Sequence, residues 1–172
     1  MEDDFRITPG FLHALDYIEG KIDECGFIRM EPLEQRWARN KNLAPVLVNA
    51  EDGYRLLYQR MPSVRLTGYA ISSKCALALV RVSDIFAGPV DFVVRRCWVH
   101  GQPLFAIDPP AIQLAKESLS PTIKGRKKSF VRHVIMPMRL TYRYIERQRA
   151  VRHSARQLHT PPIKNMLKTV AA

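Results

Sequence analysis

Pro45-Val46-Leu47-Val48-Asn49-Ala50-Glu51-Asp52-Gly53-Tyr54-Arg55-Leu56-Leu57-Tyr58-Gln59 sets two runs rich in β-branched and aromatic residues on either side of Ala50-Glu51-Asp52-Gly53. Asp-Gly supplies the backbone freedom that a tight reversal needs, so the stretch predicts a β-hairpin. Around it, Phe27 to Met30 and Val64 to Ile71 predict further strands, with a bulge or bend at Gly68. Lys74 to Phe86 is the most apolar part of the chain, and Val80-Arg81-Val82 favours a central strand over a short helix there. Asp91 to Val99 and Gln102 to Ile107, joined by His100-Gly101, predict a second hairpin, whose return strand begins at an edge because Pro103 has no N–H.

Helices are expected at the ends of these strands. Thr8-Pro9 reads as an N-cap and first helical residue, and Phe11, Leu15, Ile18, Ile22 and Cys25 recur at intervals of three and four before Gly26. Asp16, Glu19, Asp23 and Glu24 give that helix an acidic face, read as solvated, and His13 is read as a surface or capping residue, not a ligand. Leu33 to Arg39 predicts two helical turns anchored by Trp37, and Ala111 to Leu119 predicts a short helix with Ile112, Ala115 and Leu119 on one side. The fold class expected is therefore α+β: a mostly antiparallel sheet of five or six strands, an N-terminal amphipathic helix and a basic C-terminal extension.

Charge divides the 172-residue chain unevenly. Residues 121–172 hold thirteen Lys or Arg against a single acid, Glu146, whereas residues 1–120 carry a net charge of −1. A neutral body at 1–120 and a basic extension at 121–172 is the organisation this implies, with the extension packed on the body to about residue 158 and the last ten residues a mobile tail. Such asymmetry points to a polyanionic partner, because uncompensated like charge works against a compact state.

Within the extension, Lys124, Arg126, Lys127 and Lys128 form a basic loop. From Met138 to Tyr144 the pattern alternates strictly, Met138, Leu140, Tyr142 and Tyr144 against Arg139, Thr141 and Arg143, which predicts a strand with one buried and one cationic face. On that reading the tyrosines are core residues before they are base-stacking platforms. Glu146 to Leu158 predicts a helix with Val151, Ala155 and Leu158 on one face and Arg149, Arg152, His153 and Arg156 opposite. Arginine binds phosphate bidentately and stacks on bases, so Arg139, Arg143, Arg149, Arg152 and Arg156, with the basic loop, are the candidate nucleic-acid-binding residues.

The expected function is non-enzymatic nucleic-acid binding, RNA slightly ahead of DNA because no helix-turn-helix is evident. The alternative is a structural or assembly protein whose basic face meets an anionic membrane or a large protein complex. A third reading, a metal-dependent nuclease, would use Asp84, Asp91 and Asp108 near strand ends, where aspartates are more commonly turn formers. His13, His100, His133, His153 and His159 lack partners at metal-ligand spacing, His100 being read as a turn residue, and no phosphate loop or nucleophile motif is present; no metal or cofactor is expected. Cys25, Cys75 and Cys97 read as buried thiols in a reducing compartment. The acidic Glu2-Asp3-Asp4 start is the wrong sign for a targeting peptide, and the longest apolar run, Ala76 to Val80, is far short of the roughly 20 residues of a membrane span, so an intracellular or cytoplasmic location is expected.

Overall fold

A computed structural model describes residues 5–33, 43–62, 66–83, 89–114 and 132–171. In chain order the elements are β1 (Phe5–Ile7), α1 (Phe11–Glu19), α2 (Ile22–Cys25), β2 (Phe27–Arg29), β3 (Val46–Glu51), β4 (Tyr54–Tyr58), β5 (Tyr69–Ile71), α3 (Ser73–Ser83), α4 (Val90–Arg95), α5 (Cys97–His100), β6 (Phe105–Asp108), β7 (Ile112–Leu114), α6 (Arg132–Gln157) and α7 (Pro161–Ala171). The fold is α+β, as the strand and helix pattern predicts. Five strands form a sheet in the order β3-β4-β6-β2-β5, antiparallel except for the β2–β6 pair, and β1 pairs with β7 in a separate two-stranded ribbon.

The hairpin forms where its turn residues place it. Asp52 and Gly53 both adopt positive φ, 53° and 78°, the twist that suits a two-residue connection between right-twisted strands. One face of the sheet presents Ile28, Val48, Leu56 and Ile107 to α1, α2 and α7, which contribute Ala14, Tyr17, Ile18, Cys25, Ile163 and Met166 to the main core. On the opposite face Phe27 meets Cys75, Val94, Cys97 and Leu104 beneath α3, α4 and α5. Arg29 shares that alternate-residue position of β2 and is buried; it is ion-paired with buried Glu31, whose Oε2 also accepts the Thr67 N–H at 2.8 Å. A charge this deep requires such a partner.

Several expectations are corrected. Ser73–Ser83 is a helix, not a central strand: the Ser72 hydroxyl accepts the Cys75 N–H at 3.3 Å and its carbonyl accepts the Ala76 N–H at 2.9 Å, so a capped start overrides the β-branched Val80 and Val82. Asp91 to Val99 is likewise helical, as α4 and α5, and His100-Gly101 is a helix end instead of a hairpin tip. Gly101 adopts φ 73° and donates its N–H to the Cys97 carbonyl at 2.8 Å. The same left-handed freedom serves a hairpin turn and a helix C-terminus, which is why the dipeptide misleads. β6 is consequently central in the sheet, beginning two residues after Pro103, so the proline interrupts no ladder bond.

Ile112–Leu114 pairs with β1 as a strand, where a helix from Ala111 is expected. Thr8 does not cap α1; its hydroxyl and N–H both donate to the Ala111 carbonyl, at 2.8 and 3.0 Å, and tie that ribbon to the helix entry. The first helix also breaks at Gly20 and Lys21 before resuming as α2, with its acidic residues exposed as expected. The two turns around Trp37 lie outside the described residues. Among the described residues no helix is long and apolar enough to cross a membrane.

Candidate nucleic-acid interface

The described part of the basic third holds two helices. Met138 to Tyr144 is not a strand: it is the early part of α6, and every side chain from Leu140 to Ile145 is exposed. A two-residue alternation predicts a strand only where a sheet buries one side, and none does so here. Leu, Met and Arg are good helix formers, and the docked second half of α6 supplies the nucleus from which the helix extends. Thr160 and Pro161 lead directly into α7, whose Ile163 and Met166 are buried in the main core against β3. The expected mobile tail is therefore a core helix.

The second half of α6 docks through Glu146, Ala150 and Ser154, which recur every fourth residue and are buried. Ala150 meets Leu43 and Met61, with Trp98 and Val151 beside them. Glu146 is the single acid of residues 121–172 and is only 4% exposed. Its Oε1 accepts the Arg96 Nε–H at 3.1 Å, and Arg95 Nη2 lies 3.9 Å from its Oε2. Arg96 also places its guanidinium 5.7 Å from the centroid of the Tyr142 ring, one turn before Glu146. At the other end of the contact, Gln157 donates to the Gly101 carbonyl at 3.2 Å.

Two histidines sit in this seam. His100 is buried, its Nε2–H donating to the Val94 carbonyl at 2.8 Å while Nδ1 accepts the Gln102 N–H at 3.1 Å, which fixes the neutral tautomer. Burial holds its pKa below the ordinary value, and the Val94 bond offsets this only in part. His153 on α6 is also held low, by burial first and then by His100 and Arg156. Both groups are protonated more readily in the unfolded chain than in the folded one. Their contribution to stability is therefore complete above the unfolded histidine range and is lost as the pH falls through and below about 6.5. Urea midpoints measured from neutral to mildly acidic pH should fall steadily, and His153→Gln should flatten that fall.

The docking turns the other side of α6 outward. At about 100° per residue, Tyr142, Ile145, Arg149, Arg152 and Arg156 follow one another by steps of three and four along a single stripe, about 21 Å from end to end. All five are exposed. Among the described residues no carboxylate is ion-paired with Arg149, Arg152 or Arg156. Compared with models of protein families, with curated proteins and with solved structures, the chain matches none.

The predicted site residues are thus sorted. Arg149, Arg152 and Arg156 come together as expected, whereas Arg139 and Arg143 lie one turn apart on a different row of α6, not on a strand face. Lys124, Arg126, Lys127 and Lys128 lie outside the described residues. Tyr142 and Tyr144, paired in the alternating reading, point about 200° apart around the helix, and only Tyr142 joins the stripe. Sequence reasoning missed Arg95, Arg96 and Glu146; the lone acid in a strongly basic segment was the available signal.

Of the nuclease candidates, Asp108 is ion-paired with Arg55, the Asp91 carboxylate accepts its neighbour Phe92's N–H at 3.0 Å, and Asp84 lies outside the described residues. Among the described residues no three His, Cys, Asp or Glu side chains converge as a metal ion would require. The three cysteines are buried and free, and burial raises all three thiols, Cys25 and Cys97 to about 12 and Cys75 to about 11, so none is a ready nucleophile.

Proposed function

We propose that this protein binds nucleic acid, without catalysis, through the arginine stripe of α6. The observation that carries the reading is the arrangement of charge: Glu146 is turned inward and paired with Arg95 and Arg96 of the body, while Arg149, Arg152 and Arg156 stay exposed. Docking the helix thus removes the segment's own counter-charge from its outer surface. A row of planar guanidinium forks about one helical turn apart suits a chain of phosphates, and arginine is the side chain whose fork meets phosphate bidentately. A second reading, an anionic membrane or assembly surface, is favoured by exposed Ile145 within the stripe and by exposed Leu140 and Tyr144 on the far side of α6.

The test is equilibrium binding of labelled RNA and DNA oligonucleotides between about 50 and 200 mM salt, with the full chain and with the Arg149→Ala, Arg152→Ala, Arg156→Ala triple variant. Each phosphate contact contributes about 0.7 to 0.9 to the logarithmic salt slope. The triple variant should bind at least tenfold more weakly, with the slope reduced by about 2 to 3. Unchanged affinity and slope would refute the assignment, and flotation of the wild type with phosphatidylserine-containing vesicles in place of oligonucleotide binding would establish the second reading.

A further inference from the structure

We infer that Tyr142 is a base-stacking platform at one end of the stripe and that the polyanion it serves is a single-stranded nucleic acid. This rests on the nucleic-acid reading above and narrows it. Tyr142 lies on the same helical row as Arg149, Arg152 and Arg156, so a strand held by the arginines along the helix axis reaches the ring without turning around the helix. Tyr142 is 46% exposed. It is also held in place: Arg96 sits over it at 5.7 Å from the centroid, and Arg96 is itself fixed by its Nε–H bond to buried Glu146.

A pre-positioned aromatic loses little conformational freedom on binding, which is what a stacking platform requires. Its π-face accepts any base, but only a base that is not already sandwiched in a duplex. Duplex nucleic acid offers the arginines the same phosphates while keeping its base faces closed to Tyr142. The arrangement therefore favours unpaired strands over duplexes at equal charge, with little sequence readout. Tyr144, about 200° away around α6, takes no part.

The experiment compares a single-stranded oligonucleotide with its duplex by fluorescence anisotropy, using the wild type and the Tyr142→Ala, Tyr142→Leu, Tyr142→Phe and Tyr144→Ala variants, each checked for helix content by circular dichroism. The single strand should bind more tightly than the duplex. Tyr142→Ala and Tyr142→Leu should each lose about tenfold in single-strand affinity at an unchanged salt slope, since a stacking contact and no phosphate contact is removed. Tyr142→Phe, which keeps the π-face, and Tyr144→Ala should remain within about twofold of wild type. The leucine variant keeps the helix and the apolar bulk, so loss of binding there cannot be ascribed to unfolding. Equal or tighter duplex binding, or wild-type affinity in Tyr142→Leu, overturns the stacking assignment while the arginine stripe stands. Absence of salt-dependent binding to either form overturns both.

Discussion

Replacing Glu146 with alanine should lower the unfolding free energy by about 3 kcal/mol, the scale of losing one partner from a buried ion pair. Glu146 stands between two arginines of the body, hydrogen-bonded to Arg96 and 3.9 Å from Arg95, and its side chain is 6% exposed against 12% for Arg95 and 19% for Arg96. Alanine there leaves two cations facing each other beneath a helix that already carries a dense positive charge. The cost arises from the charges left behind, not only from the lost bond. A urea titration followed by circular dichroism measures it. The double variant Arg96→Ala, Glu146→Ala should be less destabilised than the sum of the two single changes, because the pair is removed together. Additive single effects would mean that the ion pair contributes nothing to docking α6.

Ile163→Ala should cost a similar amount, about 3 kcal/mol, within the range measured for large-to-small changes in well-packed cores. Ile163 is 1% exposed and belongs to the same cluster as Ile28, Val48, Leu56 and Ile107 of the sheet, with Met166 one turn later. Were residues 161–171 a mobile tail, the same change would fall within about 0.5 kcal/mol, as surface substitutions do. The measurement thus decides whether the C-terminal helix completes the main core. A loss near 3 kcal/mol also means that the basic third cannot be cut off at residue 160 without opening the sheet's helix-covered face. Binding experiments on this protein therefore call for point substitutions in the full chain.

What could be read from the residues follows from how local each signal is. The Asp52-Gly53 turn needs two positive φ values and declares itself in two residues, so the hairpin it joins is legible. The arginine stripe is legible for the same kind of reason: Arg149, Arg152 and Arg156 carry helical spacing without reference to anything distant. Other features depend on tertiary context. Val80-Arg81-Val82 has strand character, but the residues sit in a helix begun by Ser72, and Leu77 and Val80 remain exposed on it. His100-Gly101 has turn chemistry that a helix end uses equally well.

The alternation from Met138 to Tyr144 misleads for a further physical reason. Period two implies a strand through burial of one face, and on α6 the stretch from Leu140 to Ile145 is exposed on all sides. Placing Tyr142 and Tyr144 together hid the row that Tyr142 shares with the arginines. The long reach from Glu146 to Arg95 and Arg96, across about 50 residues, is invisible to any local pattern, although the solitary acid in the C-terminal third marks one end of it. Residues 121–172, set apart by charge in the sequence, supply Ile163, Met166 and Ala150 to the cores.

The most direct test of the central claim is photocrosslinking of the 172-residue chain to a single-stranded oligonucleotide carrying a photoreactive uracil, with the crosslinked peptides identified by mass spectrometry. The stripe account predicts crosslinks within residues 140–156, with Tyr142 among the modified side chains, competed away by unlabelled single strand and lost as salt rises. Crosslinks confined to residues 5–114, with none between 140 and 156, would contradict it.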